Sequence, residues 1–216
     1  MSLPSSSPET PDHSGADPGV PAGFLAAAPL DEEVRRMFDT DLSLQGYVAN
    51  LTRLWAHAPE SLAALSWVLK RATDTAGLDL RERTVLVTAT AAALGDSYCS
   101  LAFGSKLADL AGTEAAVGVV FDDDRSLTVR EQALAGWARR VVRDPNAIGP
   151  RHVDLLRAEG FTDPQVFAVT AFIALRVAFS TVNDALGAAP DEELVGRAPH
   201  ELRVAVDYGR RPGSVT

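Results

Sequence analysis

From Phe24 onward apolar residues recur three and four positions apart, while the period-two alternation of a half-buried strand is missing. The pattern predicts helices over 31–38, 44–57, 59–76, 79–94, 97–111, 113–120, 128–143, 150–159 and 164–186. Pro59 fits the first position of its helix. Asp79 with Glu82, and Thr128 with Glu131, have capping-box spacing. Asp163-Pro164 opens the last long helix and Gly187 closes it. Segment 121–127, rich in aspartate, divides an N-terminal from a C-terminal helical group, and no repeat of solenoid length stands out.

Two helices read as central. In 164–186, Val166, Val169, Ile173 and Val177 make one apolar stripe, and Phe172, Leu175, Phe179, Val182 and Leu186 make another. A helix apolar on two sides is expected between neighbours. Helix 79–94 carries a small-residue strip, Thr84, Thr88, Ala91 and Gly95, and the next helix carries Ser100, Gly104 and Ala108. The two are expected to pack closely as a hairpin over 79–112. The fold class that follows is an all-α, multi-helix bundle.

Composition narrows the function. The chain has 216 residues, 20 basic against 29 acidic, for a net charge of −9. Eighteen of the basic residues are arginine, scattered or in pairs such as Arg139–Arg140, so a nucleic-acid partner is not expected. A single cysteine, Cys99, excludes an internal disulfide and a cysteine-rich metal cluster. His13, His57, His152 and His200 show no metal-ligand spacing, so no metal and no cofactor is expected. Residues 1–22 hold five prolines, five serines and no basic residue. They lack the basic start and apolar run of a secretory signal and read as a disordered tail. The longest apolar run, Val166–Leu175, stops at Arg176, short of a membrane span. The expectation is a cytoplasmic protein with one domain over 23–200 and a C-terminal tail over 201–216.

Candidate chemistry gathers at the helix join Leu94-Gly95-Asp96-Ser97-Tyr98-Cys99-Ser100-Leu101-Ala102-Phe103-Gly104. Asp96 is a natural N-cap, which puts Cys99 in the first helical turn, where amides and dipole favour a thiolate. The charge of Asp96 works against that, or Asp96 accepts the thiol proton. Cysteine is also among the most buried residue types, and Cys99, Phe103, Leu107 and Leu110 form an apolar face. Asn183-Asp184 is odd in an apolar stripe and could face this join across the bundle. Trp55, Trp67 and Trp137 read as core or subunit contacts.

Residues 79–112, from Asp79-Leu80-Arg81-Glu82-Arg83-Thr84 to Leu107-Ala108-Asp109-Leu110-Ala111-Gly112, resemble the core of the carboxymuconolactone decarboxylase and alkylhydroperoxidase D-like superfamily. Leu54-Trp55-Ala56-His57-Ala58-Pro59-Glu60, Leu127-Thr128-Val129-Arg130-Glu131 and Leu155-Leu156-Arg157-Ala158-Glu159-Gly160-Phe161 are similar to flanking parts of its peroxidase-related branch. The resemblance covers roughly residues 45–195. It implies homo-oligomers, trimers or hexamers. It also implies a site made of Cys-x-x-Cys, a His four residues on, and a Glu twelve residues before the first Cys.

Most of that set is changed here. The first Cys position holds Asp96, the second Cys99, the His position Phe103 and the Glu position Thr84. The two-cysteine cycle cannot close within one chain. Cys99 as nucleophile, Asp96 managing its proton, and Thr84, Tyr98 and Phe103 lining a pocket make the candidate site. Three readings stay open. One is hydroperoxide reduction through Cys99 with an external thiol, and another a non-catalytic binder of small molecules on the same scaffold. The third is a lyase or isomerase of the carboxymuconolactone decarboxylase kind.

Overall fold

The computed structural model describes residues 22–212, so the expected tail over 1–22 lies, apart from Ala22, outside the described residues. Every regular element among them is helical. In chain order they are α1 (Glu32–Gln45), α2 (Asn50–Trp55), α3 (Pro59–Ala76), α4 (Leu80–Leu94), α5 (Ser97–Ala111), α6 (Thr113–Val120), α7 (Val129–Arg143), α8 (Pro150–Ala158), α9 (Asp163–Ala185), α10 (Glu192–Arg197) and α11 (His200–Ala205).

The local signals act as their chemistry requires. Pro59 starts α3, and Gly77 ends it in the left-handed region at φ 67°. Both capping boxes form, Asp79 with Glu82 on α4 and Thr128 with Glu131 on α7. The two boxes are also crossed. Arg81 of α4 donates to Glu131 at 2.6 Å, and Arg130 of α7 donates to Glu82 at 2.6 Å. Each glutamate therefore closes its own helix start and receives the arginine of the other. That fixes the starts of two packed helices side by side.

Helix α4 is the axis of the bundle, packed against α5, α6, α7 and α9, and every residue from Thr84 to Ala91 is buried. Its threonines are tolerated there because each hydroxyl returns to a carbonyl of its own helix, Thr84 to Leu80, Thr88 to Thr84 and Thr90 to Leu86. Around it Leu86, Leu107, Leu134, Phe172 and Ile173 are almost wholly removed from water. Each contributes about 1.5–3 kcal/mol of transfer free energy. The α4–α5 hairpin forms as the small-residue strips suggest. Gly104, however, faces elsewhere: a Cβ there would lie 2.9 Å from the side chain of Leu202.

Three further differences from the sequence reading have physical causes. Helix α1 runs through the polar stretch 39–43 to Gln45, stopped by Gly46 at φ 86°, so the break expected after residue 38 falls at 46–49. The segment expected as a tail from 201 is packed. Leu202 is fully buried, Tyr208 donates to Ser100 at 2.9 Å, and Ser97 donates to the Arg210 carbonyl at 2.7 Å. Gly209 lies so close to the α4–α5 join that a Cβ would fall 2.7 Å from Ser97 Oγ. Finally, α9 is long and apolar enough to cross a membrane by length and composition, yet it packs against α3, α4, α7 and α8 within the bundle. Trp137 is buried and bonded to Thr170, whereas Trp67 is 66 % exposed.

Candidate functional site

Gly95 ends α4 in the left-handed region at φ 82°, and Asp96 turns the chain into α5. Asp96 is completely buried. One carboxylate oxygen accepts the Cys99 amide at 2.9 Å, and the other accepts the Ser180 hydroxyl at 2.5 Å. It is thus the N-cap of α5, tied across the bundle to α9.

Four residues of α9, Arg176, Phe179, Ser180 and Asn183, follow helical spacing and build the facing wall. Arg176 Nη2 donates to Cys99 Sγ at 3.1 Å. Its guanidinium carbon lies 5.1 Å from the centre of the Phe103 ring and 4.9 Å from that of Phe179, cation–π distances. Trp55 stacks on Phe179 with centroids 5.4 Å apart, and its indole N–H donates to Asn183 at 2.8 Å. Arg176 Nε and Asn183 Nδ2 are buried with no hydrogen-bond partner among the described residues.

Cys99 is 2 % exposed. Burial pushes its pKa up, the charge of Asp96 pushes the same way, and Arg176 pulls it down. Burial and Asp96 prevail, so the sulfur is a protonated thiol at neutral pH. Asp184, the next residue after Asn183, has its carboxyl raised to about 6 by burial and the charge of Asp96, with Arg210 opposing.

Of the sequence candidates, Asp96, Cys99 and Phe103 meet in one cluster. Thr84 is buried, but its hydroxyl is spent on Leu80, and it has no bond to Cys99 among the described residues. Tyr98 bonds to Asp191 ahead of α10, and Asp191 also accepts the Asn50 amide at 2.8 Å. Tyr98 nevertheless lines a pocket of about 310 Å³ together with Tyr47, Trp55, Leu62 and Phe179. Phe179 links that pocket to Arg176, and Arg176 to Cys99. The sequence reading missed Arg176 and Ser180. The signal for Arg176 was present, a charge interrupting the apolar run of the longest helix. No group of three or more His, Cys, Asp or Glu that could hold a metal occurs among the described residues.

The bundle is the alkylhydroperoxidase D-like fold. The chain is similar to an alkylhydroperoxidase D core structure, an uncharacterized peroxidase-related protein from Ralstonia eutropha JMP134. The TM-score is 0.70 at 23 % identity, over 83 % of this chain and 99 % of that one. An uncharacterized peroxidase-related protein from Silicibacter sp. TM1040 gives 0.70 at 20 % identity, over 84 % and 98 %. A variant of the debrominase Bmp8, in complex with 2,3,4-tribromopyrrole, gives 0.63 at 15 % identity, over 79 % and 94 %. No protein-family model matches the chain, and no curated protein matches it in sequence.

Proposed function

We propose that this protein is a small-molecule binder on the alkylhydroperoxidase D-like scaffold, without the thiol peroxidase cycle. The observation that carries the reading is the state of Cys99, sealed from solvent with its pKa raised. A peroxidatic sulfur must be a thiolate that peroxide can reach. Asp96 is engaged as a helix cap and a Ser180 acceptor, and the family's His position holds Phe103. The aromatic pocket walled by Tyr47, Trp55, Tyr98 and Phe179 suits a small, mostly apolar ligand with one ring.

A second reading rests on Arg176. A guanidinium 3.1 Å from the sulfur would stabilise a thiolate once formed. Cys99 would then attack the outer peroxide oxygen, the O–O bond would break, and the alcohol would leave with a proton. The resulting sulfenic acid would be returned to thiol by two equivalents of external thiol, with loss of water and formation of their disulfide.

One experiment separates the two. Reduced protein and Cys99→Ser are treated with cumene hydroperoxide, with and without dithiothreitol, and followed by intact mass and peroxide turnover. The binding reading expects no oxygen gained at Cys99 and equal background turnover. It also expects 2-phenylpropan-2-ol to change tryptophan fluorescence saturably, with the change lost in Trp55→Phe. Prompt oxygen uptake and dithiothreitol-dependent turnover absent from Cys99→Ser would replace it with the peroxidase.

A further inference from the structure

On the face formed by α7, the 3₁₀ turn Pro145–Ala147 and the start of α8 lies a cavity of about 500 Å³. Four arginines line it, Arg139, Arg140, Arg143 and Arg151, against two carboxylates, Asp122 and Asp144. On a chain of net charge −9 this is a local reversal of sign.

The carboxylates there are already engaged. Asp122, held in the left-handed region at φ 62°, bridges Arg139 and Arg143 at 2.7 Å each. Arg139 is further held by Asp124 at 2.6 Å. Asp144 accepts the amides of Asn146 and Ala147 as the cap of the 3₁₀ turn. Two guanidiniums are left over. Arg140 has no hydrogen bond or ion pair from its side chain among the described residues.

Arg151 Nε lies 3.3 Å from His152 Nε2. His152, however, accepts the Gly149 amide at Nδ1, 2.9 Å away. A neutral imidazole that accepts at Nδ1 carries its proton on Nε2. The Arg151–His152 approach is therefore donor against donor, and an incoming acceptor oxygen would satisfy both.

A second cavity of about 410 Å³ adjoins the first and shares Gly136, Arg140 and His152 with it. Its other walls include Val129, Ala133, Trp137 and Leu155, of which Val129 and Leu155 are exposed hydrophobic side chains, and two carboxylates, Asp124, which is paired with Arg139, and Glu159 at the end of α8. Gly136 makes the junction: a Cβ there would sit 3.0 Å from Arg140 Nη1, so the glycine lets that guanidinium lie on the helix surface between the two cavities.

We infer that this double cavity binds an organic carboxylate with an apolar body, at a site separate from the Cys99 cluster. The carboxylate accepts from Arg140, Arg151 and His152 Nε2, and the body lies over Gly136 against Trp137 and Leu155. Arginine forks match carboxylate geometry, and a mixed cavity of this size suits a drug-sized acid.

The test titrates the full-length protein with 2-naphthoate by calorimetry at low salt, beside the uncharged 2-naphthamide. The expected result is saturable, one-to-one binding of 2-naphthoate, at least tenfold tighter than the amide and weakened by added salt. Arg140→Ala with Arg151→Ala, both exposed positions, should reduce affinity at least tenfold with the fold intact by circular dichroism. Gly136→Ala, which displaces only the tip of Arg140, should reduce it several-fold. Equal affinity for the amide would overturn the inference. So would no saturable binding at millimolar 2-naphthoate, or affinity unchanged in the double variant, which would put the acid at another site such as the aromatic pocket.

Discussion

Arg176 Nη2 lies 3.1 Å from Cys99 Sγ, so the charge that interrupts the apolar run of the longest helix meets the only thiol of the chain. The bond joins α9 to the first turn of α5. It makes the thiol an acceptor in a buried polar cluster rather than an exposed nucleophile.

Native Cys99 should accordingly resist alkylation. With iodoacetamide at pH 7.5 the folded protein should stay unlabelled over hours, and the same protein in strong urea should label within minutes. Mass spectrometry reads the difference. Rapid native labelling would mean a thiolate population that the burial of the sulfur does not allow.

Arg176 is buried, donates to Cys99 Sγ and sits at cation–π distance from the Phe103 and Phe179 rings. Arg176→Leu removes that hydrogen bond and both ring contacts. A desolvated cation–π contact is worth about 2 kcal/mol. Urea unfolding should show a loss of about this size, with Arg176→Lys recovering part of it.

Asp96 has a capping role that can be measured apart from its charge. Both Asp96→Asn and Asp96→Ala lose the charge, but asparagine keeps an acceptor for the Cys99 amide. Asp96→Ala should therefore be the less stable by about 0.5–2 kcal/mol, the usual worth of an N-cap. Equal stabilities in urea would remove the cap from the account.

Asp184 gives the site a pH signature. Its folded pKa, about 6, lies above the ordinary aspartate value, so between about pH 4 and 6 the folded chain holds a proton that the unfolded chain has lost. Its contribution to stability is present below that window and declines as pH rises through it. Asp184→Asn should remove this decline and be more stable than the parent at pH 7. Thermal unfolding at pH 4.5, 6 and 7.5 compares the slopes.

Much of the fold was legible because its signals are local. Pro59, the Asp79–Glu82 and Thr128–Glu131 boxes, and Gly187 each act within a few residues of chain. The crossed pairs Arg81–Glu131 and Arg130–Glu82 were not, since nothing within one helix start tells which other start lies beside it. Helices α10 and α11 have six residues each, too few for periodicity to register, and so Leu202 was lost with them. At the site, Asp96 as a cap and the α5 face of Cys99 and Phe103 could be read. Tyr98 could be placed beside Cys99, but its hydroxyl turns to Asp191, 93 residues away. Arg176 was visible only as an interruption, because its meaning depends on where α9 crosses α5.

Tyr208 reaches back to Ser100 across 108 residues of chain. At translation rates of about 5–20 residues per second, the α4–α5 join waits roughly 5–20 s for that covering segment to be made. During that interval Ser97, Ser100 and the turn at Gly95 face solvent or whatever guards a nascent chain. The closure of the candidate site is therefore a late event in the birth of the molecule, set by the ribosome's pace rather than by the helical hairpin that builds it.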